Sequence, residues 1–599
     1  MNLAAPAAER HRAMLRRILP VYFEDLEESL FDALLADLTI RDVAAGDVLF
    51  RQDEPSGDLY FVLRGRLRAV RVEDGRARVL GEIARGETIG ELSLFTGEPR
   101  SATIVALRPS TVARLTRPDF ERILSLKPSI AIATARLVID RFRRAERVPA
   151  RRGRAATICL APLTPGVDAR ALGAALADAL RALGDGGVGL LAQAEAEDGL
   201  DRAEHHYDTL ILIADDEPTD WTRRATQAAD DILLVADARA DQCLTGIERS
   251  LIGENRGHAV ARRSLVLLHA PETRAPSGAA HWLDSHAVDR HFHLRRGAAR
   301  DLARLARALA GRSIGMVMSG GGARGFAHVG VLRALEEAGI EPDQLGGSSM
   351  GAIIASFPAC DLRGRDLVEA VRAVFDPSPT RDYNLLPMTA LLRGRRARTA
   401  CERTVIGMNG ALIDIEDCWR PYFLVASDIT HNAEAVLRRG SLARALRATF
   451  SIPGVFPPVP VDGRLMVDGA LCNNFPVDVM EQQGVAAIIG SDVLAENAAA
   501  IDGPELPPDW RLLIDRLRPR EKRRWRVPGL IDLLVNAPML GSAARQREMR
   551  RRVDFLVRPD AAAFGHLDWG AFDAIVAQGY EAARRALDGA EATTLAKLR

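Results

Sequence analysis

The chain lacks a charge excess of either sign: 80 Lys and Arg balance 80 Asp and Glu over 599 residues. Such a balance argues against a whole-chain nucleic-acid binder, whose affinity needs surplus cations. Cysteine is scarce. The six present (Cys159, Cys243, Cys360, Cys401, Cys418 and Cys472) show no C-x-x-C spacing. That excludes a disulfide framework or a zinc ribbon and fits reduced, buried thiols. No run of eighteen or more apolar residues occurs, and residues 1–17 are rich in Ala and Arg without an apolar signal core. These absences lead to the expectation of a soluble cytoplasmic protein and leave open peripheral contact at the inner membrane surface. The stretch 160–166, Leu-Ala-Pro-Leu-Thr-Pro-Gly, lacks the lysine of a phosphate-binding loop. No metal site is expected either: His291-Phe292-His293 alternates as on a strand, with no carboxylate or thiolate pattern beside it.

What is present is length enough for three or four cores. Short runs at 47–50, 58–63 and 65–70, punctuated by turn residues at 54–57 and 73–75, read as a small antiparallel barrel or jelly roll. Helical patterns flank it at 26–38, 118–126 and 130–142. A basic stretch at 143–154 reads as a linker. Beyond it, apolar runs at 157–161, 209–213, 225–229, 232–236 and 264–269 accompany the helical pattern at 169–183. This is the grammar of an α/β unit with a largely parallel sheet.

Two glycine-bearing turns then stand one helix-length apart. Ser319-Gly320-Gly321-Gly322-Ala323-Arg324-Gly325 follows the apolar run 314–318, and Gly347-Ser348-Ser349-Met350-Gly351 follows Asp343-Gln344-Leu345. Each precedes a helical pattern. A Gly-x-Ser-x-Gly turn presents its serine, here Ser349, at a sharp corner that Gly347 and Gly351 permit. The earlier glycine run can aim bare N–H groups at an oxyanion. A serine hydroxyl needs a base, and only His431 and His566 follow Ser349 in the chain. Asp468, closing the run Arg464-Leu465-Met466-Val467-Asp468 ahead of Gly469 and Ala470, serves better, because a desolvated aspartate gains basicity. A Ser349–Asp468–His566 triad stays open beside the Ser349–Asp468 dyad.

These elements, with the 448–458 segment between them, carry a resemblance. Residues 314–480 resemble the patatin-like phospholipase family in the glycine loop, the Gly-x-Ser-x-Gly turn, the 448–458 segment and Asp468-Gly469-Ala470. The resemblance implies Ser349 as nucleophile, Asp468 as base, and Gly320, Gly321, Gly322 and Gly325 as the oxyanion loop. Arg324 would orient that loop or meet a substrate phosphate. Catalysis would need no cofactor. Residues 89–103, Ile-Gly-Glu-Leu-Ser-Leu-Phe-Thr-Gly-Glu-Pro-Arg-Ser-Ala-Thr, are similar to the phosphate-binding cassette of cyclic nucleotide-binding domains. That similarity implies Arg100 on the cyclic phosphate and Glu91 on the ribose, with Gly90, Leu92 and Ser101 as lesser contacts. It does not decide between cAMP and cGMP as a regulatory ligand. Ile89 and Ser93 depart from the usual aromatic and small residues of that cassette.

The order of domains resembles the neuropathy target esterase group. The expected fold is a multidomain α/β chain: an N-terminal lead at 1–20, a cyclic nucleotide-binding-type β jelly roll with helices at 21–145 and a linker at 146–156. An α/β middle region at 157–310, a patatin-like α/β hydrolase domain at 313–481 and an extension at 482–599 packing on it complete the chain. The expected activity is hydrolysis of acyl esters of lysophospholipids or phospholipids. The rival reading is a cyclic-nucleotide-responsive scaffold with weak or no hydrolase activity. An apolar run at 527–540, flanked by Arg523, Arg524 and Arg526, reads as a core helix beside the site or as a lipid-facing lid.

Overall fold

The computed structural model describes residues 28–126, 157–240, 262–494, 506–518, 524–525 and 541–598, with five positions between 12 and 19. Within those spans it leaves out 56, 74–75, 108, 185, 194–199, 201–202, 204–205, 376–381 and 562. The expected helix at 130–142, the linker at 146–156 and the apolar run at 527–540 lie outside the described residues. The chain forms two compact units. One is Met1–Leu268, Ser285–His291 and Ala298–Gly311; the other is His269–Asp284, Phe292–Gly297 and Arg312–Arg599. The expected break near 310 is therefore crossed by two short segments. Bonds within the second unit account for this: Ala279 N–H donates to Asp417 (2.9 Å), Trp419 Nε1–H donates to the Arg274 carbonyl (3.1 Å), and His293 Nε2 lies 2.8 Å from the Glu416 carbonyl.

In the first unit, two four-stranded sheets form the jelly roll. One runs Thr39–Val43, Ser110–Leu115, Leu59–Arg64, Thr88–Ile89; the other runs Val48–Phe50, Thr103–Ala106, Arg66–Glu73, Arg76–Ala84. Strand alternation splits Leu59–Arg64 between two cores. Leu59, Phe61 and Leu63 face a cluster with Phe31 and Phe120 from the flanking helices, while Tyr60 and Val62 join Phe50, Leu67 and Ile104. A six-stranded sheet follows, in the order Val188–Leu191, Thr209–Ile213, Thr157–Pro162, Asp231–Asp237, Arg262–His269, Arg290–Arg295. Its first five strands are parallel. The apolar run at 225–229 is not a strand: it closes the helix Asp220–Ala228, capped by Thr219.

The second unit is built on an eight-stranded sheet. Its order is Val459–Val461, Arg464–Asp468, Tyr422–Asp428, Gln344–Ser348, Ile314–Met318, Ala487–Ser491, Phe555–Val557, with Ala433–Leu437 also paired to Tyr422–Asp428. The central strands are parallel and buried on both faces, which is why Ile314–Met318 and Ala487–Ser491 read as unbroken runs of apolar and small residues. In such sheets ligands bind outside the carboxyl ends of the strands. Both glycine turns sit there: Ser319 follows Met318, and Ser349 follows Ser348. The extension does more than pack on this sheet. Phe555–Val557 joins it as a parallel edge strand, and the helix Phe572–Asp588 lies against the helix Ala327–Glu337. Among the described residues no helix is long and apolar enough to cross a membrane.

Candidate active site

Ser349 opens the helix Ser349–Ala359 directly from the strand Gln344–Ser348. Its φ of 51° lies in the left-handed region, a strained conformation for a residue with a Cβ. The neighbours hold it there. Ser349 N–H donates to Thr449 Oγ1 at 2.8 Å, and Thr449 passes its own hydroxyl hydrogen to the Val425 carbonyl. The corner is too crowded for side chains on either glycine. A Cβ on Gly347 would sit 2.7 Å from the Met318 carbonyl oxygen, and one on Gly351 would reach 2.5 Å from that of Ser319.

Asp468 ends the strand Arg464–Asp468, in register with Ala426. Ser349 Oγ donates directly to Asp468 Oδ2 at 2.8 Å. The other carboxylate oxygen accepts from Ala470 N–H at 2.9 Å, which is the work of the Gly469-Ala470 turn. Ala470 packs with Ile452 and Leu494, and Asp468 is 3% exposed, with no salt bridge to a cation among the described residues. Burial pushes its pKa up to about 7, against the pull of its two hydrogen bonds. An aspartate so placed titrates where a base working at neutral pH should.

No imidazole stands between the two. His431 pairs with Asp428, 2.9 Å from Nδ1 to Oδ2, on the rim. His566 offers the glycine loop its backbone carbonyl, which accepts from Ala323 N–H at 2.8 Å.

The glycine loop differs in detail from the expectation. Gly320 N–H is not presented to the reacting centre; it donates to Asn474 Oδ1 at 3.1 Å. Gly320 serves by close approach instead, since a Cβ there would lie 2.9 Å from Ser349 Cβ and 2.5 Å from Asn474 Oδ1. The 3-10 turn Gly322–Phe326 starts immediately after, with Gly322 at φ 58°. The first N–H groups of a helical turn have no partner within it. Ala323 N–H is taken by the His566 carbonyl at 2.8 Å. Gly325 lets the turn lie against Met350, and Arg324 Nε donates to the Phe564 carbonyl at 2.8 Å.

Sequence reasoning missed the polar net behind this loop. Asn474 Nδ2 donates to Gln546 Oε1 (3.0 Å), Gln546 Nε2 to Asp492 Oδ1 (2.8 Å), and Ser319 Oγ to the same oxygen (3.0 Å). Arg550 pairs with the other Asp492 oxygen. His328, fully buried with its pKa lowered to about 4 by desolvation, is a neutral link. Its Nε2–H meets the Ser319 carbonyl at 2.9 Å, so Nδ1 accepts from Ser491 Oγ at 2.7 Å. The sequence signal available was Asp492 itself, an acid just past a central apolar strand.

In the jelly roll, the helix Glu91–Thr96 starts at Gly90, whose φ is 91°. Arg100 does not reach outward. Its guanidinium lies 4.1 Å from the Phe50 ring centroid, Nη2 donates to the Asp58 carbonyl (2.9 Å), and Nη1 to that of Gly90 (3.4 Å). Glu91 is half-buried and Ser101 exposed. Leu92 is described in its backbone only, as part of that helix.

Comparison with known proteins agrees with this architecture. Residues 316–480 match the family model for patatin-like phospholipase, and residues 40–126 that for the cyclic nucleotide-binding domain. Residues 192–311 match the P-loop like domain of the neuropathy target esterase family. Patatin-like phospholipase domain-containing protein 6 of Homo sapiens is 30% identical over 621 residues, 91% of this chain and 44% of its own length. Neuropathy target esterase sws of Drosophila melanogaster is 28% identical over 90% of this chain and 42% of its own length. Lysophospholipase NTE1 of Cryptococcus neoformans is 28% identical over 82% and 34%. The chain therefore spans less than half the length of these curated relatives.

Proposed function

We propose that this chain, which joins a cyclic nucleotide-binding domain, a P-loop-like domain of the neuropathy target esterase type and a patatin-like phospholipase domain, is a serine esterase acting on lysophospholipids or phospholipids. One observation carries the reading: Ser349 Oγ donates to Asp468 at 2.8 Å, and no other base intervenes. Ser349 Oγ attacks the ester carbonyl while its proton passes to Asp468 Oδ2. The N–H groups of Gly321 and Gly322, at the start of a helical turn, receive the oxyanion. Collapse breaks the bond to the glycerol oxygen, which leaves with the proton from Asp468. Water, deprotonated by Asp468, then attacks the acyl-enzyme, and the fatty acid departs as Ser349 regains its proton. A lipid substrate calls for peripheral contact with a membrane, which is part of the proposal.

The test is fatty-acid release from a lysophospholipid together with fluorophosphonate labelling. Wild type and His566→Ala are expected to label and turn over within about threefold of each other, because a dyad takes no proton through that ring. Absence of labelling in folded wild type defeats the esterase reading, and complete loss in His566→Ala restores the triad.

A cyclic nucleotide is the proposed regulatory ligand of the jelly roll. Its phosphate would have to take over the Arg100 donors now given to Asp58 and Gly90. Calorimetry with cAMP and with cGMP should give binding heat in the wild type that Arg100→Ala removes. No heat with either nucleotide ends this proposal.

A further inference from the structure

The segment that steadies the reacting pair has a second use. Thr449 holds Ser349 N–H, and the Ser451 carbonyl accepts from Asp468 N–H at 2.9 Å. Phe450 and Ser451, on the same segment, line a separate cavity of about 150 Å³. Four of its lining side chains are arginines, Arg393, Arg395, Arg398 and Arg447, and none is a carboxylate. Two acids stand outside the lining: Glu402, 3.8 Å from Arg398, and Asp382, whose Oδ2 accepts from the Arg396 backbone N–H at 3.1 Å.

Arg447 is the telling member. Its Nε is buried without a hydrogen-bond partner among the described residues. Burial holds the guanidinium below the usual arginine range, and Arg398 and Arg444 add repulsion that Cys401 and Glu402 oppose. Cations crowded round a shared space, one of them half-desolvated, are relieved by an anion. A planar guanidinium is matched to phosphate oxygens above all.

What lies beside the cavity narrows the anion further. Residues 382–393 form a small hairpin, closed by Arg393 N–H to the Asp382 carbonyl and Asn384 N–H to that of Leu391, both 2.8 Å. Its base is tied, through Leu391 to Gly454 and Leu392 to Val455, to the chain just ahead of the lining residue Phe456, and Arg393 at its end lines the cavity itself. Its tip holds Leu385, Leu386 and Met388 in solvent at 86%, 77% and 89% exposure. An exposed apolar tip on a hairpin whose end, Arg393, lines an arginine-rich cavity suits an amphipathic phosphate, with acyl chains at the tip and charge at the cavity.

We propose that this cavity is a phosphate subsite for phospholipid headgroups, in which Arg447 with Arg393, Arg395 and Arg398 holds the phosphate while the 385–388 tip lies in the acyl layer. The assignment rests on the lipid-esterase reading above. Its test uses the full chain and compares a lysophospholipid below its micelle concentration with a phosphate-free p-nitrophenyl ester. In Arg447→Gln the ratio of kcat/KM for the first to that for the second is expected to fall about tenfold. Arg395→Gln, at an exposed position, is the second variant should the first fail to fold. Co-sedimentation with phosphatidylcholine vesicles containing phosphatidylglycerol is the other arm. A fallen ratio assigns the phosphate to the substrate, and lost vesicle binding alone assigns it to neighbouring lipid; either upholds the subsite. Equal loss on both esters, or no change in ratio or vesicle binding, overturns it. So does a rise in wild-type melting temperature with inorganic phosphate that Arg447→Gln lacks, when both lipid readouts stay put. Wild type that cleaves neither ester defeats the esterase reading, and the vesicle arm then still reads the phosphate subsite separately.

Discussion

Asp468→Asn is expected to lower kcat/KM by about 10⁴-fold or more and, at the same time, to make the folded protein harder to melt above pH 7. The first effect follows because the amide keeps the turn through its carbonyl oxygen but cannot take the Ser349 proton. The second follows from burial. A carboxyl with a pKa of about 7 in the fold and 3.8 when exposed binds its proton more tightly when folded. Between those values the folded state holds a proton the unfolded state has lost, so stability falls as pH rises from about 4 to about 7 and is flat beyond. The penalty in full is on the order of 4 kcal/mol at 1.36 kcal/mol per unit, and asparagine escapes it. Two measurements check this: kcat/KM of the wild type against pH, with a rising limb centred near 7, and melting temperatures of both proteins from pH 5 to 9. A wild-type limb near pH 4, or parallel melting curves, would show that Asp468 is not held as its surroundings indicate.

Ser349→Gly is expected to abolish turnover and fluorophosphonate labelling altogether while stabilising the fold by roughly 1 kcal/mol. Glycine has no Cβ to be strained at a φ of 51°, and the bond from N–H of residue 349 to Thr449 survives the change. Ser349→Ala, which retains the Cβ, should be equally inactive without that gain. The difference in melting temperature between the two dead variants isolates the strain at the nucleophile, and equal melting would mean that the corner carries none.

The reacting pair was legible because each partner lies inside a local signal: a serine between spaced glycines, and an aspartate where a short apolar strand meets a glycine. The jelly roll was legible from alternation, as Leu59 to Leu63 illustrates, and most of the middle sheet from its apolar runs. Val188–Leu191 escaped notice because Gly189 breaks so short a run. At 225–229 an apolar stretch met a helix period of which only one face is apolar, and the helix won. The support of the glycine loop was invisible for another reason. Gly320 and Asn474 are 154 residues apart, Ser319 and Asp492 are 173 apart, and Arg324 and Phe564 are 240 apart. Hydrogen bonds at such separations leave no periodicity to read. Asn474 finds its partners in the loop across the site and in Gln546, not in its own turn.

The Phe564 and His566 carbonyls, which accept from Arg324 and Ala323, limit how this chain can be divided. The stretch that matches the patatin-like phospholipase model stops at 480. A fragment ending there would carry nucleophile and base intact, yet it would lack the edge strand Phe555–Val557, Gln546, and both carbonyls that clamp the glycine loop. The dyad is portable between chains in a way that its oxyanion loop is not. Exchange of catalytic modules among proteins of this build should therefore succeed only when the cut falls beyond the helix Phe572–Asp588.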